Sequence, residues 1–264
     1  MITLPKTRFI FFHGKGGVGK TTLSQSVARG FKGPSLWVSL ENPYYPTTPL
    51  KHLTYAHYDF LSCLEEYLVL KLPSATLARK IARQRFFQHL VHIAPGLKDL
   101  VLLGKIWFEQ KNYAQIIVDL PATGHGIALF QSLPNFIASL PQGPWQRDAQ
   151  AVYTTFSDPN QTQHLIITLA EALPIQEACV LYKNLQRLFP ENPSFCWINR
   201  IFPGLLKPSL SPMGAYICQK TQQEALQLEK FHQEGIPYQT LPWVSHPTLS
   251  VTELLQQKFQ EEIA

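Results

Sequence analysis

The 264-residue chain carries 23 Lys and Arg against 18 Asp and Glu, a formal charge of +5. Its apolar fraction of 45% excludes wholesale disorder, and the length suits one large α/β domain, or one domain with a small insertion. The charge excess is small and scattered, so no nucleic-acid or anionic-membrane surface is expected from it.

Residues 8–13 read as a buried strand that runs straight into a glycine-rich loop. A helix is expected over 20–31, with Leu23, Val27 and Phe31 along one side, stopped by Gly30 and Gly33-Pro34. Residues 36–40 form a second strand, and strand, loop, helix, strand is a βαβ unit that implies a parallel sheet. The segment 42–49 holds three prolines and two tyrosines and is expected to be an irregular surface loop. Helical patterning follows over 61–69, 74–93 and 96–108, with Ser74 as the N-cap of the middle piece. These helices precede a third strand at 116–119, so a helical subdomain over 50–110 is expected within a single P-loop domain spanning 1–264. Residues 134–159 are rich in proline, glycine and polar groups and read as a loop with at most one short helix. Strands at 165–169 and 194–198 flank a helix at 175–188, and a helix at 213–234, a strand at 238–241 and a helix from 250 complete the order.

The four cysteines, Cys63, Cys179, Cys196 and Cys218, form no Cys-x-x-Cys pair and read as small buried hydrophobes in a reducing compartment. The early apolar run Phe9-Ile10-Phe11-Phe12 is far shorter than a signal-peptide core, and no stretch approaches the ~20 apolar residues of a spanning helix. The expected location is cytoplasmic.

Gly14-Lys15-Gly16-Gly17-Val18-Gly19-Lys20-Thr21-Thr22 satisfies the G-x-x-x-x-G-K-[ST] rule. Its glycines let successive backbone N–H groups turn inward around a β-phosphate, and the following helix adds its positive N-terminal end. Lys20 is expected to neutralise the β- and γ-phosphates of ATP, and the Thr21 hydroxyl to sit on Mg²⁺. The same letters contain Gly14-x-Gly16-x-x-Gly19, a dinucleotide fingerprint, with Glu41 near the ribose-binding distance. A dinucleotide site has no use for a Lys-Thr-Thr run pointing into its pyrophosphate, and the P-loop reading is preferred. Asp119, at the end of a strand beside this loop, is placed to hold Mg²⁺ through water.

Lys15, directly after the first glycine, resembles the marker of the deviant Walker A loop of ATPases that dimerise face to face. That resemblance implies that Lys15 reaches across a dimer to the partner's nucleotide. Asp119-Leu-Pro-Ala-Thr-Gly-His125 resembles the Asp-Thr-Ala-Pro-Thr-Gly-His switch of the arsenite-pump-driving ATPases and their relatives that target tail-anchored proteins. Four shorter stretches extend the likeness: Ala94-Pro-Gly-Leu-Lys-Asp-Leu100, Leu133-Pro-Asn135, Cys196-Trp-Ile-Asn199-Arg200 and Leu241-Pro242. The resemblance implies that Asn199 reads adenine and that Pro242 borders it. It implies a doubly wound, mostly parallel α/β sheet with a reduced helical subdomain. It also implies a dimer, with itself or with a similar ATPase, acting on a protein partner and meeting membranes only through that partner.

Two departures bear on mechanism. The family's first switch reads Ser-Thr-Asp-Pro-Ala, whereas this chain reads Ser39-Leu40-Glu41-Asn42-Pro43. Counting from the serine puts Glu41 at the water-activating position; counting from the proline puts Asn42 there, which cannot accept a proton. The segment 134–159 is also shorter than the family's insertion, and the chain has two methionines, so a Met-rich groove for hydrophobic helices is not expected. The basic side chains Arg79, Lys80, Arg83 and Arg85 read either as a solvated helix face or as a docking face. Two functional readings follow: a slow Mg-ATPase switch, or a nucleotide-binding regulatory or scaffold protein that hydrolyses little.

Overall fold

Phe9–His13 (β1) is buried at every position, which for an extended strand means apolar packing on both faces of a sheet. The computed structural model describes residues 7–41, 50–84, 96–122, 124–202 and 212–243, and the statements below concern those. The strands that follow β1 are Ser35–Ser39 (β2), Leu53–His57 (β3), Gln115–Asp119 (β4), Thr162–Leu169 (β5), Phe195–Ile201 (β6) and Tyr238–Pro242 (β7). They form one seven-stranded sheet in the order β3-β2-β4-β1-β5-β6-β7, and every pairing is parallel.

The helices are Lys20–Gly30 (α1), Phe60–Lys71 (α2), Ala75–Ala82 (α3), Leu97–Phe108 (α4), His125–Ser139 (α5), Pro144–Ser157 (α6), Ala172–Leu188 (α7) and Pro212–Gln233 (α8). Side-chain alternation along β1 divides the core. Phe9 and Phe11 join Ile106 of α4, Phe130 of α5, Phe156 of α6 and Leu185 of α7 on one face. Ile10 and Phe12 join Leu23 and Val27 of α1 on the other. The sheet is therefore doubly wound, the arrangement that parallel strands require to bury both faces.

A third cluster joins Phe60, Cys63, Leu64 and Leu68 of α2 to Ala78 and Ala82 of α3 and Val101 and Leu102 of α4. The Ser74 side chain accepts from the Leu77 N–H at 3.3 Å, so the predicted cap forms. Arg79 and Arg83 both approach Glu65, at 3.4 and 3.5 Å, which turns part of the basic face toward α2. Arg85, the rest of the helix expected to 93, the 42–49 loop, Ala94-Pro95 and the helix expected from 250 lie outside the described residues.

Two elements differ from expectation. The stretch before α2 contains β3, an edge strand paired only with β2, so residues 53–57 belong to the main sheet rather than to the helical layer. Its Leu-Thr-Tyr-Ala-His sequence buries one position fully and leaves Thr54 exposed, a short half-buried pattern easily hidden behind prolines. The stretch 134–159 is not a loop. Pro134 lies inside α5, because Phe130, Leu133 and Ile137 bury one stripe of that helix against the sheet and outweigh the lost backbone bond. Pro144 opens α6, where a missing N–H costs nothing, and Ala149, Val152 and Phe156 carry its buried face.

Candidate functional site

The loop between β1 and α1 lies at the centre of the sheet, where the chain leaves β1 and the flanking strands diverge in order. Gly14 has φ +138°, and a Cβ there would collide with the Ile167 carbonyl oxygen of β5, so only glycine fits. Gly19 has φ +97° and precedes α1 directly. Lys20 is buried and its ammonium donates to the Lys15 carbonyl at 3.0 Å. Burial lowers its pKa, against the charges of Asp119 and Glu41, which raise it. Gly16 and Gly17 are exposed, Val18 is anchored in the second core cluster, and the Thr22 carbonyl accepts from Ser26 in the first turn of α1.

Asp119 ends β4, the strand next to β1, and registers with Phe12 and Ser39. The Thr21 hydroxyl donates to Asp119 Oδ2 at 2.6 Å, while Oδ1 is buried without a hydrogen-bond partner. Burial pushes the Asp119 carboxyl up to about 6, opposed by the Thr21 bond and the Lys20 charge and reinforced by Glu41. A carboxylate and a hydroxyl, with one buried oxygen unsatisfied, are the hard oxygen donors that suit Mg²⁺. Glu41 is exposed just past β2, close enough for its charge to bear on both Lys20 and Asp119, whereas Asn42 lies outside the described residues. His125 is exposed at the start of α5.

On the other side of the loop, the Asn199 amide donates to the Val18 carbonyl at 2.9 Å and its oxygen accepts the Arg200 N–H at 2.9 Å. Pro242 is exposed at the end of β7, in register with Ile201. Lys20, Thr21, Asp119 and Asn199 thus converge on one loop, with Glu41 beside it and Pro242 on β7, three strand spacings from β1.

Three features escaped the sequence reading. Lys15 pairs within its own chain, its ammonium 2.9 Å from Glu177 Oε1 on α7, although no intramolecular role was expected for it. Arg200 adopts a left-handed backbone beside the loop. Beneath the loop, His13 and His164 share a hydrogen bond of 3.1 Å. His164 Nε2 faces the Phe156 carbonyl at 3.0 Å and so carries the proton, which leaves its Nδ1 to accept from His13. Burial holds His13 well below its ordinary pKa and His164 at about 4, so both are neutral ties between β1 and β5. A histidine inside an otherwise apolar strand is their only sequence signal. An apolar cavity of about 370 Å³ between α2, α4 and α6 shares no lining residue with the loop.

The fold and the loop define an α/β P-loop nucleotide-binding architecture. The family model described as anion-transporting ATPase matches residues 7–32, which hold β1, the loop and α1. ATPase BagA of Mycobacterium tuberculosis is 29% identical over 225 residues, covering 74% of this chain and 65% of that protein. A protein of Aquifex aeolicus, named as an arsenical pump-driving ATPase, is 29% identical over 149 residues, 48% of this chain and 50% of the relative. An ATPase ASNA1 homolog of Plasmodium falciparum is 28% identical over 136 residues, 46% of this chain and 35% of the relative. The match therefore spans less than two thirds of each of these relatives. The motif resemblance is supported at modest identity: the chain is similar to proteins named as an arsenical pump-driving ATPase and an ATPase ASNA1 homolog, and its phosphate loop matches the anion-transporting ATPase model. Among the described residues no helix is long and apolar enough to cross a membrane.

Proposed function

We propose that the chain binds ATP with Mg²⁺ at the 14–22 loop, hydrolyses it slowly, and acts as a dimeric nucleotide switch on a protein partner. The observation that carries this reading is the Thr21–Asp119 contact of 2.6 Å beside buried Lys20, with Asp119 Oδ1 unsatisfied. Thr21 and, through water, Asp119 would hold the cation, which when bound supplies charge neutralisation for the phosphates. Lys20 withdraws from the Lys15 carbonyl to meet phosphate oxygens, and a charged ligand restores the interaction that burial weakens. The backbone N–H groups of Gly16 to Thr22 add dipoles aimed at the same oxygens.

Glu41 is the group assigned to orient the attacking water, since its charge reaches both Lys20 and Asp119. With one more methylene than aspartate it places that water imperfectly, and a misplacement near 1 Å costs ~10²-fold. Slow turnover follows. The switch is completed by a second, similar chain, toward whose nucleotide Lys15 turns when it leaves Glu177. The partner on which it acts is a protein.

One observation favours a second reading, a nucleotide-binding regulator or scaffold with negligible turnover: Asn42 occupies the water-activating position if the proline of the first switch sets the alignment. Steady-state phosphate release with Mg²⁺–ATP, run beside calorimetry of ATP binding, separates the two. Binding with slow release supports the switch, and binding with none supports the regulator. Failure to bind ATP at all removes both.

A further inference from the structure

Strand β6 carries an irregularity next to the phosphate loop. Ile198 pairs with Thr240 and Ile201 with Pro242, so β6 spends three steps where β7 spends two. The extra residue is a β-bulge, a device that re-aims a side chain at the end of a strand. Within it Arg200 has φ 60°, the one positive value for a non-glycine residue among the described residues. An arginine gains nothing locally from that conformation. The Asn199 side chain holds it there, accepting the Arg200 N–H while donating to Val18 in the phosphate loop.

The consequence is a directed guanidinium. Arg200 is exposed, and its Nη2 lies 4.0 Å from where a Cβ on Gly19 would stand. A cation brought to the positive end of α1, beside Lys20, is repelled unless a ligand lies between. Beyond it, the rings of Phe202 and Trp243 stack at 5.5 Å and 23°, and the Trp243 backbone N–H donates to the Ile201 carbonyl at 2.7 Å. Arg200 therefore reaches toward the phosphate loop from a strand end that also carries the stacked Phe202–Trp243 pair.

Position across the sheet indicates which part of a nucleotide arrives there. Lys20, Thr21 and Asp119 gather on the β4 side of β1, whereas the Arg200 backbone lies on β6, three strand spacings from β4, or about 14 Å, and its guanidinium reaches back toward Gly19 from that side. A triphosphate anchored at Asp119 and crossing the loop toward β6 presents its base there rather than its phosphates. We propose that Arg200 lays its guanidinium on the face of the purine, so that nucleotide affinity depends on a cation–π and stacking clamp contributed by the β6 bulge. The proposal rests on the ATP-binding reading above.

The test compares calorimetric affinities for Mg²⁺–ATP and Mg²⁺–tripolyphosphate in wild type, Arg200→Gly and Arg200→Lys. Glycine accepts the positive φ without strain, so that variant keeps the bulge while losing the guanidinium. The expected result is an approximately tenfold loss of ATP affinity in both variants with tripolyphosphate binding unchanged, because lysine keeps the charge but not the plane. Equal losses for the two ligands would make Arg200 a phosphate contact and overturn the proposal, as would unchanged ATP affinity. A wild type that binds tripolyphosphate as tightly as ATP overturns the clamp but leaves the phosphate loop standing. A wild type that binds neither ligand overturns the ATP-binding reading itself, and the clamp with it.

Discussion

The Lys15 ammonium lies 2.9 Å from the Glu177 carboxylate of its own chain, with about a third of each side chain exposed. A partly exposed pair of this kind is worth ~0–1 kcal/mol, weak enough for a second chain's nucleotide phosphates to displace. If the proposed dimer forms, Glu177 competes with it for Lys15. Glu177→Gln is therefore expected to raise the dimer fraction in the presence of Mg²⁺–ADP and a transition-state mimic. Lys15→Ala is expected to leave a monomer under the same conditions. Mass in solution for the three proteins decides it, and identical masses would remove the trans role of Lys15.

Lys20→Ala addresses the loop itself. Its ammonium is buried and rests on a backbone carbonyl, so the wild-type chain holds a partly desolvated cation with no carboxylate in direct contact among the described residues. Phosphate oxygens would satisfy it with charge-assisted bonds worth about 1.5–3 kcal/mol, together with relief of phosphate repulsion. ATP binding by calorimetry should fall below detection in the alanine variant, while its thermal midpoint stays at or above that of wild type. Undiminished affinity would mean that the loop does not hold phosphate.

Asp119 makes a prediction in pH. Its folded carboxyl is raised to about 6 by burial, above its ordinary value of 3.8. The folded chain thus favours the protonated form, and this contribution to stability is present below pH ~4 and is lost as pH rises through 6. Asp119→Asn, which keeps the shape without the charge, should be the more stable protein at pH 7.5, by at most about 3 kcal/mol. The gap in thermal midpoint should close as pH is lowered from 6 toward 4. Over the same window Mg²⁺-dependent ATP binding by wild type should weaken, since the proton competes with the cation for the carboxylate. A gap that does not change with pH would show that the carboxylate is not the destabilising group.

How far the sequence carried this picture depends on how local each signal is. The phosphate loop, the strand-end Asp119 and the Ser74 cap are written in adjacent letters, and each appears where those letters imply. Helices α5 and α6 were hidden because Pro134 and Pro144 look like loop residues until the sheet beside them is known, and only packing reveals that one interrupts little and the other starts a helix. Contacts such as Lys15–Glu177, separated by 162 positions, and His13–His164, separated by 151, have no local signature at all. The left-handed Arg200 is legible only through the register of two strands.

The water-activating group is the point on which enzyme and regulator diverge. Hydrolysis in this class is mainly positioning and charge stabilisation, with a carboxylate orienting the water. Glu41 bears on Lys20 and Asp119 through its charge, so it stands near the place where a γ-phosphate would end. Asn42 can orient a water but not accept its proton. With Glu41 as the base, turnover should fall below the ~1–100 s⁻¹ of kinases. Glu41→Gln should then keep ATP affinity within about twofold of wild type and remove most of the remaining phosphate release, because the amide preserves size and loses only basicity. Asn42→Asp should change little. The opposite pattern, in which Glu41→Gln turns over as fast as wild type and Asn42→Asp accelerates release strongly, would assign the position to residue 42. The natural chain would then hold its nucleotide as a conformational ligand, and its proposed switch would respond to exchange rather than to hydrolysis.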